Sequence, residues 1–199
     1  MERNVEILDA DSSIGVLSCV IVDQDGNNWF TGGSLKAGLR VNLKDDFQGV
    51  RSVDWVAGTA PFYRREVFDR VGLFDENYRM YHEDVEFGLR LRAETDYKAC
   101  MFAEKLVAHY HNLAPSIPNA EVYYLGHRNH ILILRKYYPR YLPKVLLWYS
   151  IEIARLIGAS ILKPSPKLFL SVKPRPRLFL FALSSAGGIL AGLVNRQSK

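Results

Sequence analysis

VDWVAGTAPFYRREVFDRVGLFDENYRMYHEDVEFGLRLR, residues 53–92, decides how this 199-residue chain is read. It opens within an extended, apolar run, residues 52–63, that Gly58 and Pro61 interrupt. RREVFDRVG then has helical composition and ends at Gly72, a glycine placed where a helix stops. EDVEFGLRLRAE, residues 83–94, sets Val85 and Leu89 four apart and acids ahead of arginines, the order a helix dipole favours. Asp75, Glu76, Glu83, Asp84 and Glu86 crowd into this stretch between aromatic side chains. Acids at helix starts commonly serve as caps and dipole partners. Adjacent Glu83 and Asp84 also allow a sharper reading, in which one carboxylate faces a pocket and its neighbour orients it. A carboxylate beside a substrate hydroxyl can take its proton as that oxygen attacks, which is general-base chemistry.

Upstream, IGVLSCVIV (residues 14–22) is continuously apolar and suits a strand buried on both faces. DQDGNN follows as a turn, then WFTGG. Two D-x-D pairs occur, Asp9-Ala10-Asp11 and Asp23-Gln24-Asp25. The second follows a strand directly, the local context of a metal motif, yet Asp25-Gly26-Asn27 is a turn signal and reads so here. Downstream, YKACMF and KLVAHYH are two short strands, and NAEVYYLGHRNHILILRKYY is a long helix running to Pro139. Residues 1–140 therefore form one α/β region, and residues 141–199 another of different character.

In that second region, KVLLWYSIEIARLIGASILK gathers Lys144, Glu152, Arg155 and Lys163 within roughly 100° of a helix circumference, leaving a broad apolar remainder. A basic, proline-rich hinge follows, then LFLFALSSAGGILAGLV, residues 178–194. A spanning helix needs about 20 apolar residues, so this segment is marginal. Ser184, Gly188 and Gly192 recur every four residues and offer a small-residue face for close helix packing.

Hydrophobic residues at 48% and charged residues at 24% exclude wholesale disorder. Cys19 and Cys100, far apart, exclude a disulfide scaffold and a thiolate zinc site. The opening MERNVEILDADSS has no apolar run of signal-peptide type. After Glu152 the chain holds eight bases and no acid, out of 26 bases and 21 acids in all. Net basic charge confined to an apolar tail, rather than spread over a folded body, argues against nucleic acid and for an anionic membrane surface.

Asp54–Ala60, then Arg65–Phe68 with Gly72–Glu76, then Tyr81–Glu86, in this order and spacing, resemble the C-terminal half of family-two glycosyltransferases of the GT-A fold, rhamnosyltransferase-like members especially. LVAHYH and HRNHILILRKYYP are similar to that family's strand ending in histidine and its "RN" helix, so the resemblance covers residues 14–139. It implies an α/β fold: a partial GT-A domain, a Rossmann-like mixed sheet with flanking helices, over residues 1–140. The N-terminal nucleotide-binding half is absent, and amphipathic and apolar helices follow over residues 141–199. It further implies an inverting transfer from a nucleotide-sugar donor to a lipid-linked or cell-surface glycan, at the cytoplasmic face of the inner membrane. Asp84 takes the place of the base, Glu83 that of its acidic neighbour, and Asp75 lies on the acceptor side. Gly58, Thr59 and Ala60 match the strand end beside the donor sugar. Mg2+ or Mn2+ accompanies the nucleotide diphosphate, with His109 as the metal-proximal histidine and His111 as its competitor. The missing half leaves an unpaired sheet edge, so the chain is read as an incomplete gene product or as one that takes that half from a companion chain. No Q-x-x-R-W follows the Glu-Asp pair, which points away from processive synthesis. The alternative is a non-catalytic, membrane-associated binding module that keeps only the acceptor surface.

Overall fold

The computed structural model describes residues 2–110, 120–161 and 176–195. His111 and residues 162–175 of the basic hinge lie outside them. The chain divides into two compact units, Met1–Ser116 and Ile117–Lys199. The sequence reading breaks the chain near residue 140 instead. The division falls earlier because the helix at residues 120–137 packs with the C-terminal helices.

The first unit is mixed α/β. Helix α1 (Glu2–Ala10) leads into β1 (Ile14–Val22), followed by β2 (Asn28–Phe30), β3 (Gly32–Lys36), β4 (Leu39–Leu43), β5 (Val50–Val53) and β6 (Phe62–Tyr63). Helices α2 (Arg65–Val71) and α3 (Glu83–Glu94) and strand β7 (Lys98–Ala108) complete it. The main sheet has the order β2-β1-β7-β5, with β6 also on β1. β1 and β7 are parallel, whereas β2, β6 and β5 run antiparallel to their neighbours. β1 occupies the middle and is buried along eight of its nine residues, as its continuous apolar run requires. On its second edge, β6 pairs with Val16 and Leu17 and β2 with Ile21 and Val22.

Ile7 and Leu8 of α1 pack on a core of Ile14, Leu17, Cys19, Cys100 and Phe102. The two thiols are free and behave as small hydrophobes; burial pushes that of Cys100 up to about 11. Tyr63, Phe68, Phe74 and Phe87 form an aromatic cluster joining β6, α2 and α3, with centroids 4.7–5.8 Å apart. Two arginines fasten loops to this frame. Arg64 donates to the Ile14 and Leu8 carbonyls, and Arg90 to the Val71 and Leu73 carbonyls and to buried Glu86. Glu86, one of the crowded acids, is thus the partner of a structural arginine and not a cleft residue.

β7 is one strand where the sequence suggests two. Cys19 pairs with Phe102 and the next residue, Val20, pairs with Lys105, so Ala103 and Glu104 form an irregularity in a continuous ladder. Asp23 confirms the turn reading of its D-x-D: its carboxylate accepts the Asp25 and Asn27 amides at 2.9 Å.

The second unit consists of α4 (Ala120–Tyr137), a 3-10 turn (Pro139–Tyr141), α5 (Leu142–Ile161) and α6 (Pro176–Val194). His130 Nδ1 lies 2.6 Å from the Tyr149 hydroxyl and links α4 to α5. Small residues do between α4 and α6 what the fourfold repeat predicts. A Cβ on Gly188 would fall 2.2 Å from the Tyr124 carbonyl oxygen, and one on Gly192 2.7 Å from that of Arg128. Arg135 donates to the Gly192 and Asn195 carbonyls at 2.7 Å, closing the end of α6. No described helix is long and apolar enough to cross a membrane.

Two neighbouring glycines give opposite expected outcomes. Gly188→Ala forces backbone apart and lowers stability by about 1–2 kcal/mol net of the helix propensity gained. Gly187→Ala meets only the Tyr124 ring, at 3.6 Å, and gains up to about 1 kcal/mol. Urea unfolding followed by helical circular dichroism reads both signs.

Candidate active site

Trp55 anchors the site. Its ring lies flat on Gly33, where a Cβ would come within 1.9 Å of it, and a Cβ on Gly88 would fall 2.6 Å from the Asp54 carbonyl. Strand β3 and helix α3 therefore close on residues 54–55 from two sides, at distances only glycine permits. Gly33 and residues 54–55 exchange backbone bonds of 2.9 and 3.0 Å. The Asp54 carboxylate accepts the Leu35 amide at 2.8 Å and pairs with Arg92 of α3. The β3–β4 hairpin is thereby tied to α3, and Arg40 of β4 sits with its guanidinium carbon 4.8 Å from the Trp55 ring centroid.

On the other side, Tyr81 and His82 take φ of 67° and 68°. Two consecutive non-glycine residues in the left-handed region cost roughly 1–2 kcal/mol each. They turn the chain sharply into α3, and His82 gives that helix no side-chain cap. Asp84 takes over part of the capping. Its Oδ1 accepts the Val85 amide at 2.8 Å and its Oδ2 the Gly58 amide at 3.2 Å.

These elements enclose a cleft of about 350 Å³ within unit Met1–Ser116. Glu83 and Asp84 line it together with Ala57, Gly58 and Thr59 on one side; Trp29, Phe30, Arg40, Asn42 and Trp55 form another wall. Met80, Tyr81 and His109 complete it. The volume lies in the range of small-molecule sites. Asp84 is largely desolvated, which raises its pKa above the ordinary carboxylate range, and the adjacent Glu83 charge pushes it the same way. Arg40 and the two backbone amides oppose both. Glu83 Oε2 is buried with no hydrogen-bond partner among the described residues, so it has capacity to accept a bond from a ligand. The site thus offers a carboxylate poised to hold a proton, a second acceptor beside it, aromatic walls and one cation.

His109 closes β7. Its amide donates to the Val22 carbonyl at 2.8 Å and its ring stacks on Trp29, centroids 4.5 Å apart and planes 17° from parallel. It shares the cleft with the carboxylates. Among the described residues, however, no three His, Cys, Asp or Glu side chains converge as metal ligands.

Of the residues expected from sequence, Gly58, Thr59, Glu83, Asp84 and His109 meet in the cleft. Ala60 and Asp75 are not part of its lining. The Ala60 carbonyl accepts the Ser18 hydroxyl at 3.2 Å, and the Asp75 carboxylate accepts the Asn77 amide at 2.9 Å in a local turn. Sequence reasoning misses Arg40, Asn42, Trp29 and Tyr81 as cleft residues. Arg40 and Asn42 carry no motif, but their i, i+2 spacing on a hairpin strand sets both on one face.

Over 41 residues the chain is 51% identical to two curated Mycobacterium tuberculosis proteins, from strains CDC 1551 / Oshkosh and ATCC 25618 / H37Rv, each an N-acetylglucosaminyl-diphospho-decaprenol L-rhamnosyltransferase. The match takes in 21% of this chain and only 13% of the length of those relatives. No family model matches the chain. This short segment is similar to a glycosyltransferase.

The charges around Asp84 make its titration a test of the geometry. Glu83→Gln removes the neighbouring negative charge and moves the Asp84 midpoint down; Arg40→Ala removes the opposing cation and moves it up. Carboxyl-selective NMR titration of the full chain reads both shifts. Equal or same-sign shifts would show that Arg40 and Glu83 do not act on Asp84 from opposite sides.

Proposed function

We propose that this cleft serves glycosyl transfer, with Asp84 as the general base toward an acceptor hydroxyl. The observation that carries the reading is the placement of Asp84: a desolvated carboxylate on a cleft wall, held by the Gly58 and Val85 amides, with Glu83 adjacent. The 41-residue identity to rhamnosyltransferases supports the same chemistry.

A sugar hydroxyl needs two things from such a site: an acceptor for its proton and neighbours that fix its orientation. Asp84 supplies the first. Its raised pKa makes the carboxylate a stronger base than an exposed aspartate. The unfilled acceptor capacity of Glu83 supplies the second, and Trp29 and Tyr81 give flat apolar surface for pyranose rings. As the proton passes to Asp84, the acceptor oxygen bonds to the anomeric carbon while the bond to the diphosphate breaks. The nucleotide diphosphate leaves with that electron pair from the opposite face, and the configuration inverts. A divalent cation bound with the diphosphate would neutralise charge on the leaving group. The donor is a nucleotide sugar and the acceptor a lipid-linked or surface glycan, the class to which the relatives' named acceptor belongs.

The test is transfer of labelled sugar from a panel of nucleotide sugars to a polyprenyl-diphosphate-linked acceptor. Asp84→Asn is expected to lose about 10²–10⁴-fold in kcat while the acceptor still binds. Undiminished turnover removes Asp84 from the role. Acceptor binding with no transfer from any donor by the unsubstituted chain makes the cleft a binding module.

A further inference from the structure

Helix α5 is apolar around more of its circumference than its own unit covers. Val145 and Tyr149 are buried, and Leu146, Ile153 and Leu156 are half-buried. Yet Leu147, Trp148 and Ile151 stand 64%, 49% and 45% exposed. At about 100° per residue, these three fall in one stripe roughly 100° wide. Exposed Lys144 and Arg155 lie in that same stripe, one turn before Leu147 and one turn after Ile151. On α6 a second stripe, Leu180, Leu183, Leu190 and Val194, is exposed opposite the glycine face that packs on α4. Contiguous exposed apolar side chains on a folded surface mark a contact.

We propose that unit Ile117–Lys199 seats on an anionic lipid surface through the α5 stripe, with Leu147, Trp148 and Ile151 entering the headgroup boundary and Lys144 and Arg155 meeting lipid phosphates. Charge selects this occupant. From residue 153 onward the chain holds eight bases and no acid, so the same face of a second copy would oppose like charge to like charge. Anionic headgroups neutralise the same bases. Tryptophan suits the boundary because its ring is apolar and its N–H is polar. No described helix is long and apolar enough to cross a bilayer, and a helix with an apolar stripe bracketed by cations lies in the interface plane. The proposal is independent of the transferase reading.

Co-sedimentation of the full chain with vesicles tests it. Vesicles of phosphatidylcholine with roughly one-third phosphatidylglycerol are expected to bind at least about tenfold more tightly than phosphatidylcholine alone, and binding falls in about 1 M salt. Brominated lipid quenches tryptophan emission, and the quenching is lost in Trp148→Phe. Leu147→Ser with Ile151→Ser weakens binding about tenfold. Should that pair lose helical circular dichroism, Lys144→Gln with Arg155→Gln reads the charge contribution with the apolar stripe intact. No vesicle binding, or binding indifferent to lipid charge, overturns the proposal. So does a dimer in sedimentation velocity that the serine pair dissociates while vesicle binding is unchanged.

Discussion

The cleft depends on backbone approaching a tryptophan more closely than any Cβ would allow. Gly33 and Gly88 are the two contact points, one on a hairpin strand and one on a helix, and Trp55 with Asp54 fills the space between them. An alanine at either place would collide with the ring or with the Asp54 carbonyl. Because the segment is pinned there, its continuation through Gly58 runs past the start of α3, and the Gly58 amide meets Asp84. Asp54 locks the arrangement with its two carboxylate oxygens, one toward the hairpin and one toward Arg92. The hairpin in turn carries Arg40 over Trp55. A packing constraint thereby sets the distance between a cation and the carboxylate it moderates.

That moderation explains why two adjacent acids can coexist at a desolvated helix start. Burial and the Glu83 charge both favour a protonated Asp84 and raise its pKa. Two amides and a cation restrain the shift. The restraint is partial: the pKa stays raised, which suits proton abstraction better than an exposed aspartate would. The left-handed Tyr81 and His82 belong to the same arrangement. A conventional cap at position 82 would satisfy the first amides of α3 from outside the helix. With His82 turned away from that duty, the Asp84 carboxylate binds the Val85 amide and is fixed facing the cleft.

What the sequence made legible follows from how locally each feature is determined. The α3 limits, the Gly72 stop and the Asp23 turn depend on neighbours within a few residues, and they stand where the pattern puts them. The small-residue face of α6 was readable as well, since fourfold spacing of glycine serves close helix contact whatever the partner. Features set by distant contacts were not readable. β7 looked broken at Ala103-Glu104 because Glu104 and Lys105 interrupt its apolar run, yet β1 carries it through as one strand. Asp75 looked like its acidic neighbours in sequence, but its turn uses the carboxylate locally. Arg40 belongs to the site because residues 54–55 hold the hairpin down, a link across residues that no spacing rule reports.

In unit Ile117–Lys199 the same reasoning separates two uses of apolar sequence. On α6 the inner face is small, so that α4 can approach to backbone distance, and the outer face is leucine and valine. Close approach excludes large side chains from the inner face, but it places no such demand on the outer one. Outward leucines add nothing to the α4 contact, and they carry the penalty of apolar surface in water. On α5 a tryptophan stands among them and cations bracket the stripe. A helix serving only its own core would keep one apolar face and a polar back. Apolar side chains on both faces, in a stretch of chain lacking acids beyond Glu152, are the features on which the proposed lipid contact rests.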